Sequence, residues 1–337
     1  MFRPLAWLVP VLWLVAAAPQ RTVPPPPAHV RAERAEALRK HGLDPESSLE
    51  SRIGKTPASV LQMFAEAGPA APTPQPHELT AAERRKLVDA LEALPPLQRR
   101  VLRERLRTVS VLDGIPNTAL TSTVNPDEPY RLFDITLRAG ILSESVSQFL
   151  TWKERGCFEA AGSSRSVSIE AGELDGVLYV LLHEASHVVD SSLGMSASGA
   201  PFVEGVWSEA TVLAPAYRGS LLERITFRAG GEVLPIARAE AVYAALAKTP
   251  FVSLYASRNW HDDLAESVAW YHLAEKRQQP YRIVVRDGQK EAFTYEPLKS
   301  TLVRQRLERL RVFYEGDISP SRVGMSSDTV GWMGTAH

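Results

Sequence analysis

The residues of this sequence best suited to chemistry are two histidines and a glutamate within one apolar segment. The segment Leu181–Asp190 reads LLHEASHVVD, with His183 and His187 four positions apart and Glu184 next to the first of them. On an α-helix, side chains at this spacing project from one face, one turn apart. Two imidazole nitrogens placed in this way could bind one zinc ion, and the adjacent carboxylate could take a proton from an attacking water.

The apolar surroundings of these groups favour a metal site. Burying two imidazoles and a carboxylate costs free energy unless each group has a partner, and a metal ion is the simplest partner for all three. The alternative is a pair of core histidines that form hydrogen bonds without any metal. We expect the metal site, with a single Zn²⁺ as cofactor, because the motif and its setting agree.

A catalytic zinc needs a third protein ligand and one open position. Asp190 and Leu193 occupy the positions at which metzincins carry a glycine and a third histidine, which excludes that class. The best source of a third ligand is the segment 259–272, in which Asp262 and Glu266 share one helical face. One carboxylate could bind the metal while the other accepts a hydrogen bond from a ligating histidine, and either assignment is open.

The motif HExxHxVD at His183, followed by a carboxylate-x-x-Ala-carboxylate helix from Asp262, resembles the gluzincin metallopeptidases. It is most similar to the lethal-factor and Mlc-titration-factor-A branches. There the zinc-binding glutamate opens a Glu-x-x-Ala segment, and a tyrosine seven residues earlier helps to stabilise the reaction intermediate. The resemblance implies Asp262 as the third ligand, Glu266 as its neighbour and Tyr255 as a catalytic residue. Because this chain has Asp where the family has Glu, Glu266 stays the alternative ligand.

Hydrophobic periodicity predicts the elements that position these residues. The apolar segment Leu174–Ser192 predicts a buried helix that ends before Gly194, and Asp262–Lys276 predicts a second helix. Ser166–Glu170 alternates like a short strand, either the edge strand beside the zinc helix or an interior strand. His261, beside Asp262, could be an extra ligand, but we expect it to lie at the surface or behind the ligands.

These patterns predict an α+β fold. It should be predominantly helical, with a small mixed sheet on which the active-site helix packs, and the resemblance implies that it is zincin-like. The remaining predicted elements are a helix that begins after a capping box at Thr80, helices at 97–106, 143–154, 237–248 and 297–313, a strand at 133–138, and a hairpin at 281–286 and 291–296.

The ends of the chain differ from its middle in composition. Residues 1–17 combine Arg3, an apolar run and small residues, which predicts a secretory signal peptide, shorter than the roughly 20 residues of a membrane span. Residues 18–78 are rich in Pro and Ala, and predict a mostly flexible spacer or a propeptide, with a weak helical candidate at about 57–67 and order beginning at Thr80. Residues 79–316 would form the zincin-like metallohydrolase domain, and 317–337 a disordered tail.

Composition narrows the possible partners. The 337 residues carry a formal net charge of −1, so no basic excess indicates nucleic-acid binding. Cys157 is the only cysteine, which excludes an intramolecular disulfide and a cysteine-based zinc site.

The motif, the resemblance and the signal-peptide pattern together lead us to expect an exported zinc metallopeptidase, periplasmic or extracellular. Its substrate would be a peptide or protein, and the mature enzyme would have no membrane span after signal cleavage. The alternative is a non-catalytic zinc-binding envelope protein that uses a zincin scaffold for binding or assembly.

Overall fold

The structure is a computed structural model that describes residues 26–66 and 73–315. These residues form helices and small β-sheets. The predicted signal peptide and C-terminal tail lie outside these residues. The helices are α1 (Ala28–Lys40), α2 (Ala58–Glu66), α3 (Ala81–Ala93), α4 (Pro96–Arg105), α5 (Val146–Arg155), α6 (Gly176–Leu193), α7 (Ala239–Leu246), α8 (Trp260–Tyr271) and α9 (Thr301–Leu307).

The strands are short and belong to four small sheets. They are β1 (Gln75–Pro76), β2 (Leu106–Asp113), β3 (Ala119–Thr123), β4 (Phe133–Arg138), β5 (Phe158–Glu159), β6 (Arg165–Glu170), β7 (Trp207–Glu209), β8 (Val212–Leu213), β9 (Leu234–Pro235), β10 (Arg282–Asp287) and β11 (Lys290–Tyr295). The predicted α+β class is therefore confirmed.

The largest sheet has the strand order β1-β2-β4-β3. Strands β2 and β4 run parallel, whereas β1 and β3 are antiparallel to their neighbours, so the sheet is mixed, as predicted. Strand β3 forms one edge, and it contacts α6. Neither β2 nor β3 was predicted from the sequence, because β2 continues from α4 without a Gly or Pro to mark the change.

Helix α6 is enclosed by its neighbours. Every residue from Gly176 to Asp190 is buried, because α3, α4, α5 and α8 pack around the helix together with β3. The helix ends where the sequence predicts, since Gly194 has a φ of 65° and adopts the left-handed conformation that glycine accepts without strain. Such burial fixes the direction of every polar side chain that α6 carries.

Helix α8 contacts α6 directly. The side chain of Asn259 caps its N-terminus by accepting a hydrogen bond from the backbone N–H of Asp262 at 2.9 Å. The helix then continues as a π-helical turn at His272–Lys276. Residues 262–271 are all buried, so the acidic side chains of this helix depend on partners inside the protein.

Most of the other predicted elements are confirmed. The capping box joins Thr80 and Glu83 at the start of α3, and the predicted helices at 97–106, 143–154 and 237–248 correspond to α4, α5 and α7. The predicted strand at 133–138 is β4, and the predicted hairpin is formed by β10 and β11. The predicted helix at 297–313 consists of α9 between two 3₁₀ segments.

The expectation that order begins at Thr80 was wrong. Helix α2 buries Val60 and Phe64 against Leu112 and neighbouring apolar residues, and Ile53 forms a bridge to Val109 of β2. The Pro- and Ala-rich stretches thus flank an amphipathic helix, which corresponds to the weak helical candidate at 57–67. The propeptide alternative remains a prediction.

The predicted strand at 166–170 forms β6, but it does not lie beside the helix of His183. It is the edge strand of a separate sheet of order β11-β10-β6, and it packs against α5. The edge strand that contacts the helix of His183 is β3 instead. The cause is the β10–β11 hairpin, which offers β6 a full antiparallel partner.

Within the described residues, no helix combines the length and the apolar character that crossing a membrane requires.

A buried ion pair joins α8 to the C-terminal helix α9. The guanidinium of Arg306 donates a hydrogen bond to Asp263 at 2.8 Å, and the indole N–H of Trp207 donates to the same carboxylate at 2.6 Å. Both members of the pair are buried. Burial raises the pKa of Asp263 to about 6, against the opposing effect of Arg306.

We expect Arg306→Met to lower the free energy of unfolding by about 3–5 kcal/mol, because it leaves the Asp263 carboxylate buried without its cation. The pKa of Asp263 is about 6 in the folded state and 3.8 in the unfolded state. The folded protein therefore loses stability as the pH rises from 3.8 to about 6, because the unfolded state ionises first. Removing Arg306 would raise this pKa further, and the deficit should be larger at pH 8 than at pH 5.

Urea unfolding at the two pH values measures this effect. Arg304→Met is the matched control, because Arg304 lies exposed on the same helix and its loss should change stability by no more than about 0.5 kcal/mol. Equal deficits in the two variants, or a deficit independent of pH, would contradict the assigned role of the pair.

Candidate metal centre

Two helices bring three ligand atoms together. The Nε2 atoms of His183 and His187 lie 3.1 Å apart, and Oδ1 of Asp262 lies 3.4 Å from the first and 3.5 Å from the second. Ligands at 2.0–2.1 Å from a tetrahedral ion stand about 3.3 Å from one another. These residues therefore form a buried group that could hold a metal ion.

The second carboxylate oxygen of Asp262 has its own partners, which orient the first oxygen towards the histidines. The side-chain amide of Asn259 donates a hydrogen bond to Oδ2 at 2.7 Å, and Nη1 of Arg258 lies 3.4 Å from the same atom. Asn259 thus caps the helix and orients the carboxylate that the helix carries. The short Asp side chain reaches the imidazoles because α6 and α8 are in direct contact.

Glu266, the alternative ligand, does not belong to the group of three. Its Oε1 lies 3.2 Å from Nδ1 of His183, on the side of the ring opposite to Nε2. The hydroxyl of Tyr179 donates to the same oxygen, the hydroxyl of Ser253 donates to Oε2, and Nζ of Lys153 lies 3.7 Å from Oε1. A carboxylate in this place favours the proton on Nδ1 and leaves Nε2 free to bind a metal.

The electrostatics of the site favour a cation between the two rings. Burial lowers the pKa of His183, but the nearby carboxylates of Asp262 and Glu266 outweigh burial and raise it to about 9. Burial would raise the pKa of Asp262, yet the two histidines hold it well below its usual range. For Glu266, the attraction of Lys153 and the contact with His183 overcome burial and lower the pKa to about 2. The attraction that places a proton on the imidazole would act more strongly on a divalent ion.

Glu184 is held by the edge strand. The hydroxyl of Thr121 in β3 donates a hydrogen bond to Oε2 of Glu184 at 2.6 Å. Both residues are buried. This bond leaves Oε1 and the remaining lone pairs of the carboxylate available for a further donor, such as a water molecule.

Tyr255 lies beside the ligands, as the family resemblance implies. It begins a 3₁₀ segment, Tyr255–Ser257, just before α8, and its ring centroid is 5.7 Å from that of His183. Nη1 of Arg258 donates a hydrogen bond to its hydroxyl oxygen at 2.6 Å. Burial and the charge of Asp262 raise the pKa of Tyr255 above its usual range, although Arg258 opposes them, so the hydroxyl keeps its proton at physiological pH.

His261 joins α8 to the end of α6 and is partly exposed. Its Nδ1 is 2.6 Å from Oδ2 of Asp190 and 2.9 Å from the hydroxyl of Ser196, and its Nε2 accepts a hydrogen bond from Trp260 at 2.9 Å. Asp190 in turn accepts a hydrogen bond from the backbone N–H of Ser196 at 2.7 Å and so fixes the loop that follows α6. With both ring nitrogens engaged in this way, His261 serves the junction of α6 and α8.

Sequence reasoning missed Thr121, Lys153, Arg258 and Tyr179. Tyr179 precedes His183 by four residues on α6, so helical spacing was the available signal for it. Arg258 lies before the N-cap of α8, where helical spacing does not apply. Thr121 and Lys153 come from other elements, and no local pattern points to them.

A scan against protein-family models and searches of curated proteins and of solved structures found no match for this chain.

We expect Asp262→Ala to abolish stoichiometric binding of a divalent metal, because it removes one of three protein ligands. Glu266→Gln should weaken binding by about 10- to 100-fold, the usual effect of changing a group that orients a ligand. Titration calorimetry with Zn²⁺, Co²⁺ and Mn²⁺ measures both effects. If Glu266→Gln removed metal binding while Asp262→Ala retained it, the assignment of the two carboxylates would have to be reversed.

Proposed function

We propose that this protein is a zinc-dependent metallopeptidase with a gluzincin-type site on a zincin-like fold. The observation that carries the proposal is the triangle of His183, His187 and Asp262, whose ligand atoms are 3.1–3.5 Å apart. Glu184 and Tyr255, the two further groups that peptide hydrolysis requires, lie next to these ligands.

The ligand set suits zinc better than other common metals. Calcium and magnesium prefer oxygen ligands, whereas two imidazoles and one carboxylate are typical of catalytic zinc. The same three ligand types also bind non-haem iron. Zinc is the better match for the proposal, because the glutamate of the HExxH motif is placed to act as the base of a zinc hydrolase.

Three groups would divide the chemistry of hydrolysis. A bound zinc ion would polarise the scissile carbonyl and lower the pKa of water to about 7. Glu184, held by Thr121, would accept a proton from the attacking water and pass it to the leaving amine. Tyr255 would donate a hydrogen bond to the carbonyl oxygen as that oxygen gains negative charge.

The proposed site of action is outside the cytoplasm, in the periplasm or the extracellular space. This part of the proposal rests on the signal-peptide pattern of residues 1–17 alone. The rival function is that of a non-catalytic envelope protein that binds zinc on the same scaffold. The hydrogen bond between Thr121 and Glu184 favours the enzyme, because a structural zinc site needs no oriented base.

We expect Glu184→Gln to retain stoichiometric zinc and to lose peptide hydrolysis by about 10²- to 10⁴-fold, because the amide cannot accept the proton. His183→Ala should lose both zinc and activity. Metal analysis of the purified proteins, together with cleavage of a mixed-sequence peptide library, measures both effects. A wild-type protein without stoichiometric zinc would refute the enzyme, and one that binds zinc but cleaves nothing would support the rival.

We expect Thr121→Val to lower kcat by about 10-fold with little change in zinc affinity, because Glu184 loses the hydrogen bond that orients it. Thr121→Ser keeps the hydroxyl and should retain most of the activity. Steady-state kinetics on the best-cleaved library peptide checks both variants. Equal losses in the two variants would assign the effect to packing at β3 instead.

A further inference from the structure

Arg258 connects two parts of the site. It lies between Tyr255 and α8, where its Nη1 donates a hydrogen bond to the Tyr255 hydroxyl oxygen at 2.6 Å and lies 3.4 Å from Oδ2 of Asp262. Its side chain is 20% exposed, so protein covers most of this cation. No motif points to this residue, and the proposed hydrolysis does not by itself require it.

The chemistry of this hydrogen bond determines what the tyrosine can do. A guanidinium has only donors, so Arg258 must use a lone pair of the phenol oxygen. The phenol proton is then directed elsewhere and stays available for a second partner. A carboxylate or carbonyl in the position of Arg258 would have the opposite effect, because it would accept that proton.

The ring of Tyr255 is itself held in place. Phe227 packs against it edge to face, with centroids 5.0 Å apart, and the ammonium of Lys153 lies 3.4 Å from its centroid. The His183 ring contacts it as well. With the ring fixed by these neighbours, the main remaining freedom is rotation of the hydroxyl hydrogen about the C–O bond, and Arg258 restricts that rotation.

We propose that Arg258 is a positioning residue that fixes the Tyr255 hydroxyl as a hydrogen-bond donor towards the metal group. This inference rests on the proposed function, because it assigns the donor to the carbonyl oxygen of a peptide substrate. Arg258 would act through Tyr255 and would not itself touch the reacting atoms.

The contact with Asp262 offers a competing explanation, in which Arg258 acts by holding the metal ligand. A variant of Asn259 distinguishes the two explanations. Asn259 donates a hydrogen bond to the same Asp262 oxygen at 2.7 Å and is the N-cap of α8. Asn259→Ser keeps an N-cap side chain but removes the amide donor. This variant should therefore weaken zinc binding, and it measures the loss of zinc affinity that follows when the Asp262 carboxylate is no longer held.

The experiment is a double-mutant cycle with Arg258→Met, Tyr255→Phe and the double variant, alongside Arg258→Lys and the Asn259→Ser control. Zinc affinity is measured by chelator competition, and kcat and KM with a library peptide. Calorimetry measures binding of acetohydroxamate, a small zinc chelator that needs no matching side chains and does not depend on hydrolysis. Thermal unfolding confirms that each variant is folded.

Arg258→Met and Tyr255→Phe should each lower kcat by about 10- to 100-fold at unchanged KM, with a smaller change in zinc affinity than Asn259→Ser causes. Acetohydroxamate affinity should fall in both variants. The double variant should be no worse than Tyr255→Phe alone, because Arg258 acts only through the tyrosine. Arg258→Lys, which keeps one donor, should recover part of the activity.

Losses that add in the double variant, or a loss in Arg258→Met that comes with weaker zinc binding like that of Asn259→Ser, would overturn the inference. A wild-type protein that binds zinc and acetohydroxamate but cleaves no peptide would refute the proposed peptidase function without deciding the role of Arg258. The cycle measured with acetohydroxamate would then still decide whether Arg258 acts through Tyr255. A wild-type protein that binds no zinc would refute both.

Discussion

The convergence of two imidazole nitrogens and one carboxylate oxygen is the constraint on which the rest of the structure depends. At separations of 3.1–3.5 Å, the lone pairs of three such atoms repel one another unless a proton or a metal ion lies between them. Helices α6 and α8 must therefore meet at a fixed register, and the packing of α3, α4 and β3 around α6 prevents them from sliding apart. Burial strengthens the repulsion between these atoms, because no bulk water screens them.

Each acidic group near this convergence has a cationic or hydroxyl partner that determines its role. Arg258 and Asn259 occupy the outer oxygen of Asp262, Lys153 and two hydroxyls surround Glu266, and Thr121 holds Glu184. Three carboxylates at one site thus differ in what they can bind. The difference comes from their neighbours, since all three are buried to a similar extent.

The sequence predicted those features of the site that lie within one helix. The spacing of His183 and His187 is local, and so is the shared face of Asp262 and Glu266, which any helix would produce. The choice between the two carboxylates was not accessible, because it depends on how closely α6 and α8 approach. Thr121 lies on a strand that periodicity did not reveal, and the order of the segment before Thr80 depends on contacts with β2 that are distant in sequence.

The Arg306–Asp263 pair has a consequence for biosynthesis. Asp263 follows Asp262 directly, and its cation is supplied by α9, the last helix of the described chain. Packing α8 into its buried position before about forty further residues have been made would leave the Asp263 carboxylate without its cation. Maturation of the centre is thereby coupled to completion of the chain, and a fragment truncated before α9 would be disfavoured from assembling it.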